Sequence, residues 1–272
     1  MPNERMQNLR ELLPPGGKRR SPTQRELAAA APLDYPATQV GKKGNITIAY
    51  DSALGPEGLT LAKQLVNASA GPYNDMQTFF GISGSAVEIV IAPLSGNNDG
   101  SGGAYHYGCD FGPTPDSVLY LDATFASTAV NPLDLEVGLY VAELSECFMG
   151  PQGGGWGCGY SNGEGLSRFC AEQETPAHTL DDFATGPDWA KAGFPDWITK
   201  TEQTDQDSVS TGCAIVYIYW MRSLGFGIPQ IVQAAGSTLA ANYQTLTGKS
   251  SAYQDLLAAV KKLSITSDNP FS

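Results

Sequence analysis

The segment at residues 131–149 constrains the fold most, because the helix that it is expected to form is apolar on two opposite sides. Asn131 suits the N-cap and Pro132 the first helical position, so the helix should begin there. One wide face carries Leu133, Val137, Tyr140, Val141, Leu144, Cys147 and Phe148, and the opposite side carries Leu135, Leu139 and Ala142. A narrow strip is expected to face water, formed by Asp134, Gly138 and Ser145. Such a helix must be covered on both sides, which requires a domain with several layers.

Strands and helices alternate upstream of this segment, and helices follow it. Alternating or short apolar runs predict strands at residues 45–50, 86–93 and 117–122, and helical spacing predicts helices at 56–68 and 72–80. The later pattern predicts a connector at 187–197 and helices at 163–172, 210–224, 228–235, 238–246 and 253–263. We therefore expect one α+β domain at residues 44–272, in which a mixed sheet with helices (44–130) precedes an all-helical half (131–272).

Charge separates an N-terminal segment from this domain. Residues 1–43 hold eight basic and four acidic residues, a net charge of +4, whereas residues 44–272 hold eight basic and 24 acidic residues, a net charge of −16. The run Pro-Pro-Gly-Gly-Lys-Arg-Arg-Ser-Pro at 14–22 contains many helix breakers. Residues 1–43 are therefore predicted to be a flexible basic arm, either a solvated tail or a docking segment for an acidic partner.

Composition also excludes several classes of protein. A strongly acidic body is a poor nucleic-acid binder, because such binding depends on cationic contacts with phosphates. No apolar run approaches the roughly 18 residues of a membrane helix, so no membrane association is expected. The N-terminus lacks the apolar core of a secretory signal. We expect a cytoplasmic protein, or one exported by a route that uses no signal peptide.

The five cysteines divide into two groups. Cys109 and Cys158 lie in glycine-rich segments, whereas the other three lie on helical patterns and are expected to be buried thiols: Cys147, Cys170 and Cys213. The pairing, if any, stays open, and an odd number leaves at least one thiol free unless chains pair. A less favoured alternative is a thiol nucleophile, formed by Cys109 or Cys158 with His106.

Acidic residues at the edge of the long apolar helix are the main candidates for chemistry. Glu143 and Glu146 are three residues apart and therefore neighbours on its surface, and Glu136 lies close to the same edge. Partly buried carboxylates must be protonated, paired or bound to metal. Glu164 begins the next helix, where it could join the first two glutamates or could pair with Arg168 one turn later.

Four elements follow one another in an order that is informative: a helix ending in Phe-Phe-Gly at 79–81, a strand at 87–93, an edge strand beginning with Gly-Gly-Ala at 102–104, and a strand at 118–122. With the acidic helix and Glu164 described above, this order over about residues 44–246 resembles the gluzincin metallopeptidases, the group of thermolysin and aminopeptidase N. The zinc helix of that family carries His-Glu-x-x-His, followed about 18 residues later by a glutamate ligand in an Asn-Glu-Gly-like motif. Here the corresponding sequence is Ala-Glu-Leu-Ser-Glu at 142–146, and Glu164 follows 18 residues after Glu146. The resemblance implies a zincin-like fold.

The same resemblance assigns roles to individual residues. Glu143 matches the general base and Glu164 the third metal ligand, whereas Ala142 and Glu146 replace the two zinc histidines. This loss argues against a conventional zinc site and leaves either no metal or a hard divalent cation on Glu146 and Glu164. The candidates for substrate binding are Gly103 and Ala104 on the edge strand that the resemblance implies, with His106 and Tyr217. His106 could instead be a surface or strand-packing histidine. Tyr217 matches the residue that stabilises the oxyanion in such enzymes, but it could equally be a core residue.

Two functions are compatible with these residues. The first is an unconventional hydrolase that binds extended peptide-like substrates in a cleft lined by carboxylates, with Glu143, Glu146 and Glu164 as catalytic residues. The alternative is a catalytically silent pseudo-peptidase that binds a peptide or protein in the same cleft. Both expect a peptide or protein ligand rather than nucleic acid or membrane.

Overall fold

The computed structural model describes residues 37–94, 103–106, 108–112, 118–123, 131–204, 206–234 and 236–272. Residues 1–36 of the predicted arm and the predicted loop at 96–101 lie outside these ranges. In the described part, a mixed sheet comes first and helices make up most of the rest. The expected α+β class, with sheet before helices, is therefore confirmed.

The sheet of the described residues has five strands, β1 Ala37–Lys43, β2 Ile46–Asp51, β3 Val87–Ala92, β4 Ala104–Tyr105 and β5 Val118–Asp122. Their order is β1-β2-β3-β5-β4. Strands β2, β3 and β5 are parallel, and each edge strand pairs with its neighbour in the antiparallel direction. The predictions at 45–50, 86–93 and 117–122 are confirmed, because continuous apolar runs of this length are typical of strands covered on both faces.

Residues 37–43, which were predicted to belong to the flexible arm, form strand β1 (Ala37–Lys43). This strand pairs with β2 and is irregular between Gln39 and Gly41. Most of its side chains are exposed, so it lacks the apolar alternation that marks a half-buried strand. Lysines on an exposed edge strand discourage pairing with other chains, and the same lysines made the segment resemble a basic tail.

Nine α-helices are present in the described ranges: α1 Gly55–Ala68, α2 Ala70–Phe80, α3 Pro132–Gln152, α4 Ser161–Glu174, α5 Gly186–Lys191, α6 Ser208–Ser223, α7 Ile228–Ala234, α8 Leu239–Thr247 and α9 Ala252–Val260. Eight of them were predicted from spacing. Helix α5 was not, because five of its six residues lie in the Pro- and Trp-rich segment interpreted as a connector. Its proline occupies the start of the helix, where a missing N–H costs nothing.

Helix α3 is the centre of the fold. It packs against α1 and α2, against β4 and β5 of the sheet, and against α4 on the other side. The predicted water-facing strip is wrong, because Gly138 and Ser145 are both buried. A Cβ atom at Gly138 would lie 2.9 Å from the Leu180 side chain, so the chain that follows α4 covers this side of the helix.

Glu136, on α3, is fully buried, and neither of its carboxylate oxygens has a hydrogen-bond partner among the described residues. Burial, with a smaller contribution from the charge of Asp122, raises the pKa of Glu136 to about 8. Glu136 is therefore protonated in the folded protein at neutral pH, because a buried bare charge costs more than a buried neutral acid.

Two further carboxyl groups on α4 have raised pKa values. Burial, with the charge of Asp268, raises the pKa of Glu172 to about 8, and the Tyr219 hydroxyl donates a hydrogen bond to this group. Burial, with the charge of Asp75, raises the pKa of Glu174 to about 7. The folded protein thus binds protons at three carboxyl groups that the unfolded chain would release near pH 4.5.

In the described part of the chain, no helix combines the length and apolar character needed to cross a membrane.

Removing β1 should destabilise the domain, because its removal would leave the neighbouring edge of β2 without its strand partner. We expect a chain that begins at residue 44 to melt several degrees below one that begins at residue 37, as measured by circular dichroism. The chain beginning at residue 37 should melt within a few degrees of the full-length protein. Equal melting temperatures for the two truncated chains would contradict a structural role for β1.

Stability should decrease as pH rises from about 5 to 8. A carboxyl group with a higher pKa in the folded state stabilises that state at low pH, and this contribution is lost as pH rises, by at most about 1.4 kcal/mol per pH unit for each group. Glu136→Gln keeps this side chain neutral at every pH. The unfolding free energy of the variant should therefore fall less steeply with pH than that of the wild type. Urea unfolding at several pH values measures the slope. The exposed Glu57→Gln substitution is the control, and an equal effect of both would contradict the assignment to Glu136.

Candidate functional site

Strand β4 brings His106 to the side of α3. Gly103, with a φ of 86°, turns the chain into this strand, and its carbonyl accepts a 2.7 Å hydrogen bond from the backbone N–H of Asp122 on β5. His106 follows the strand directly, and its Nδ1 lies 2.6 Å from Oε2 of Glu143 on α3. The two side chains are 4% and 17% exposed, respectively. This short contact joins the edge of the sheet to the central helix.

The two ring nitrogens of His106 have different surroundings. A carboxylate oxygen accepts hydrogen bonds, so the 2.6 Å contact fits the ring tautomer that carries its proton on Nδ1. Nε2 is buried and has no hydrogen-bond partner among the described residues. In the neutral ring with its proton on Nδ1, the lone pair of Nε2 is therefore available for a proton or a metal ion.

Glu146 and Cys158 complete the surroundings of this histidine. One ligand atom from each of His106, Glu146 and Cys158 lies within 4.8 Å of the other two. A search of the described residues for three or more potential metal-binding side chains this close together finds this one group. The sequence predicted Glu146 as a catalytic and metal-binding residue. For Cys158 it offered only the less favoured role of a thiol nucleophile.

A disulfide joins Cys109 to Cys158, which are 49 residues apart in sequence. It connects the segment after β4 to the glycine-rich loop between α3 and α4. The other cysteines are buried and take no part in this disulfide, as their helical positions predicted: Cys147, Cys170 and Cys213. While the disulfide is intact, neither Cys109 nor Cys158 has the thiolate that a nucleophile requires.

Glu164 is held by a cation. Its Oε1 lies 3.3 Å from Nε of Arg168, which is the i,i+4 pair that the sequence offered as an alternative. Arg168 also donates to the backbone carbonyl of Phe183 and, at 3.5 Å, to Oγ1 of Thr185. Glu164 does not belong to the group of ligand atoms around His106. Its predicted catalytic and metal-binding roles stay predictions.

The residues predicted to bind substrate lie in different places. Ala104 pairs with Leu121 on the edge strand, next to His106. Tyr217, by contrast, lies on α6 in the core, and its fully buried hydroxyl donates a 2.8 Å hydrogen bond to Asn242. This is the core position that the sequence left open for Tyr217, and its role in substrate binding stays a prediction. The apolar spacing of α6 was already compatible with a core position.

Comparisons of the chain with protein-family models, with curated proteins and with solved structures found no match. The fold and site define the chain as an α+β protein with a five-stranded mixed sheet, a histidine–glutamate pair at the sheet edge and a disulfide beside that pair.

Reducing the disulfide should destabilise the protein. Closing a loop of this length restricts the unfolded chain and contributes about 4 kcal/mol in the chain-entropy model, although measured effects are often smaller, about 2–4 kcal/mol. We expect urea unfolding with a dithiol reductant and a chelator to show a loss in this range, and Cys109→Ser to lose a similar amount with the chelator but without reductant. An unchanged unfolding free energy in both experiments would contradict this contribution.

Proposed function

We propose that this protein is a zincin-like, peptidase-like hydrolase that binds an extended peptide beside β4 and uses His106 with Glu143 as its acid–base pair. The observation that carries the proposal is the 2.6 Å contact between these two side chains. It links the residue after the edge strand to the glutamate that matches the general base of the gluzincins. The proposal therefore draws on one contact and on the sequence resemblance.

The position of β4 supports a peptide-like substrate. An extended peptide can add to the edge of a sheet through backbone hydrogen bonds, and β4 is an edge strand of the described sheet. Gly103 and Ala104 have little or no side chain that would obstruct a second backbone at this edge. A peptide lying there would pass close to His106, so its carbonyl groups would be near the acid–base pair.

The proposed chemistry uses the two ring nitrogens differently. The Glu143 carboxylate accepts a hydrogen bond from Nδ1–H, which orients the ring and stabilises the imidazolium that forms when Nε2 takes a proton from the attacking water. The same Nε2 proton can then pass to the leaving amine. Glu146 is the second acid beside the ring. Glu164 is engaged by Arg168 and takes no part in this step.

The gluzincin zinc set does not fit this chain. Ala142 has no donor atom at the position of the first ligand, and Glu164 is engaged by Arg168. A hard cation on Glu146 and Glu164 gains no support either, because Glu164 lies outside the ligand group that contains Glu146. We therefore derive no step of the proposed hydrolysis through a metal.

The second candidate function is a silent peptide-binding module. It is favoured by the shielding of Nε2 from solvent, since a general base must reach the water that it activates. In this alternative the His106–Glu143 contact would only attach β4 to α3, and the edge strand would bind a peptide without cleaving it.

Peptide cleavage by single-site variants tests the proposal. A library of unstructured peptides is digested in the presence of a chelator, and products are identified by mass spectrometry. Glu143→Gln and His106→Gln should each lower the rate by about 100-fold or more, because general acid–base groups contribute about 10²–10⁴-fold. The control is His178→Gln, which changes the only other histidine of the chain; it is 82% exposed.

The outcomes separate the two functions. Cleavage that the first two variants lose and the control keeps supports the hydrolase. Peptide binding by the wild type without any cleavage supports the silent module. Cleavage that survives both Glu143→Gln and His106→Gln would refute the proposed acid–base pair.

A further inference from the structure

We propose that His106, Glu146 and Cys158 form a zinc site that is available only when the Cys109–Cys158 disulfide is reduced. This site differs from the gluzincin set, because two of its ligands lie outside the positions that correspond to the zinc motif. It concerns metal binding and does not depend on whether the protein cleaves peptides.

The position of the donor atoms carries the proposal. One ligand atom of each residue lies within 4.8 Å of the other two, and all three residues are partly buried. Donor atoms around a tetrahedral zinc ion are about 3.5 Å apart, given bond lengths of about 2.0–2.3 Å. Small side-chain rotations would therefore be enough to bring the three donors around one ion.

The hydrogen bonding of His106 is a second, independent observation. Its Nε2 is buried, has no hydrogen-bond partner among the described residues and belongs to a side chain that is only 4% exposed. Its Nδ1 contacts the Glu143 carboxylate. In metal proteins, a carboxylate on one ring nitrogen commonly orients the histidine and makes the other nitrogen a better ligand.

The donor types favour zinc over the hard cations. Imidazole nitrogen, thiolate sulfur and carboxylate oxygen are the three ligand classes of Zn²⁺ in proteins, whereas Ca²⁺ and Mg²⁺ need mostly oxygen. Three protein ligands would leave a fourth position of the ion for water. Zinc sites with three protein ligands and one water are typical of catalytic zinc, whereas structural zinc sites have four protein ligands.

The disulfide controls the sulfur donor. A disulfide sulfur carries no thiolate, so Cys158 is not available while it is bonded to Cys109. A dithiol reductant supplies two electrons and two protons, which break the S–S bond into two thiols, and is itself oxidised to a disulfide. Zinc then binds Cys158 as the thiolate and releases one proton, while Cys109 stays a thiol.

The metal and the proposed acid–base pair would use the same atom. Zinc on Nε2 of His106 would prevent this nitrogen from accepting a proton, so the reduced, zinc-bound protein would not use His106 as a base. The two states are mutually exclusive, but zinc binding is measured without substrate. Failure of one proposal is therefore distinguishable from failure of the other.

Two cysteine variants form a matched pair for the test. Cys109→Ser and Cys158→Ser both remove the disulfide, but only Cys109→Ser keeps the proposed sulfur ligand. We expect Cys109→Ser to bind one zinc ion per chain without reductant, as measured by competition with a chromophoric chelator. Cys158→Ser and His106→Gln should bind more than about 100-fold more weakly, and Glu143→Gln about 10–100-fold more weakly. The oxidised wild type should not bind, and the reduced wild type should.

Cobalt and alkylation provide further measurements. Co²⁺ in Cys109→Ser should show the near-ultraviolet charge-transfer band of a thiolate ligand, which Cys158→Ser should lack.

If either variant does not fold, as judged by circular dichroism, the reduced wild type is alkylated with and without zinc. Zinc should then protect Cys158 but not Cys109. Equal zinc affinity of the two cysteine variants, or no protection of Cys158, would overturn the proposal.

Discussion

Helix α3 must be covered along nearly its whole circumference, and the arrangement of the other elements follows from this requirement. The sheet, with α1 and α2, covers one side of the helix, and α4 with the chain after it covers the other. Glu143 and Glu146 lie where this cover is incomplete, beside the short strand β4, and are therefore only partly buried. The same packing that stabilises the fold thus leaves two carboxylates next to a histidine from the sheet edge. The site is a consequence of how the helix is enclosed.

Two contacts hold the His106 segment, because the strand before it is too short to do so alone. Strand β4 has only two residues, so its pairing with β5 offers few backbone hydrogen bonds. The Glu143 contact attaches the histidine to α3, and the disulfide attaches the following segment to the loop before α4. Both contacts would also set the distance between His106 and Glu146, on which the proposed chemistry and the proposed metal site depend.

Sequence periodicity predicted the elements that bury a regular apolar face, and failed where burial is not periodic. Strand β1 is exposed and α5 is short, so neither has a pattern to detect. Gly138 and Ser145 are small residues in a helix that is covered along nearly its whole circumference, and Gly138 is covered by the distant Leu180 side chain. The sequence predicted Glu143, Glu146 and His106 as neighbours of a cleft. It did not predict the contact between His106 and Glu143 or the proximity of Cys158 to Glu146, because these arise between segments that are far apart along the chain.

The disulfide has a consequence for how the protein is made. Its two cysteines lie on either side of α3 in the sequence, so they meet in the native arrangement only after this helix has packed against the sheet. The unfolded chain exposes five thiols, among which ten different single disulfides can form. In the folded chain the other three thiols are buried and protected from oxidants. Oxidation after collapse therefore selects the native bond, whereas oxidation before collapse would join buried cysteines wrongly and block the packing around α3.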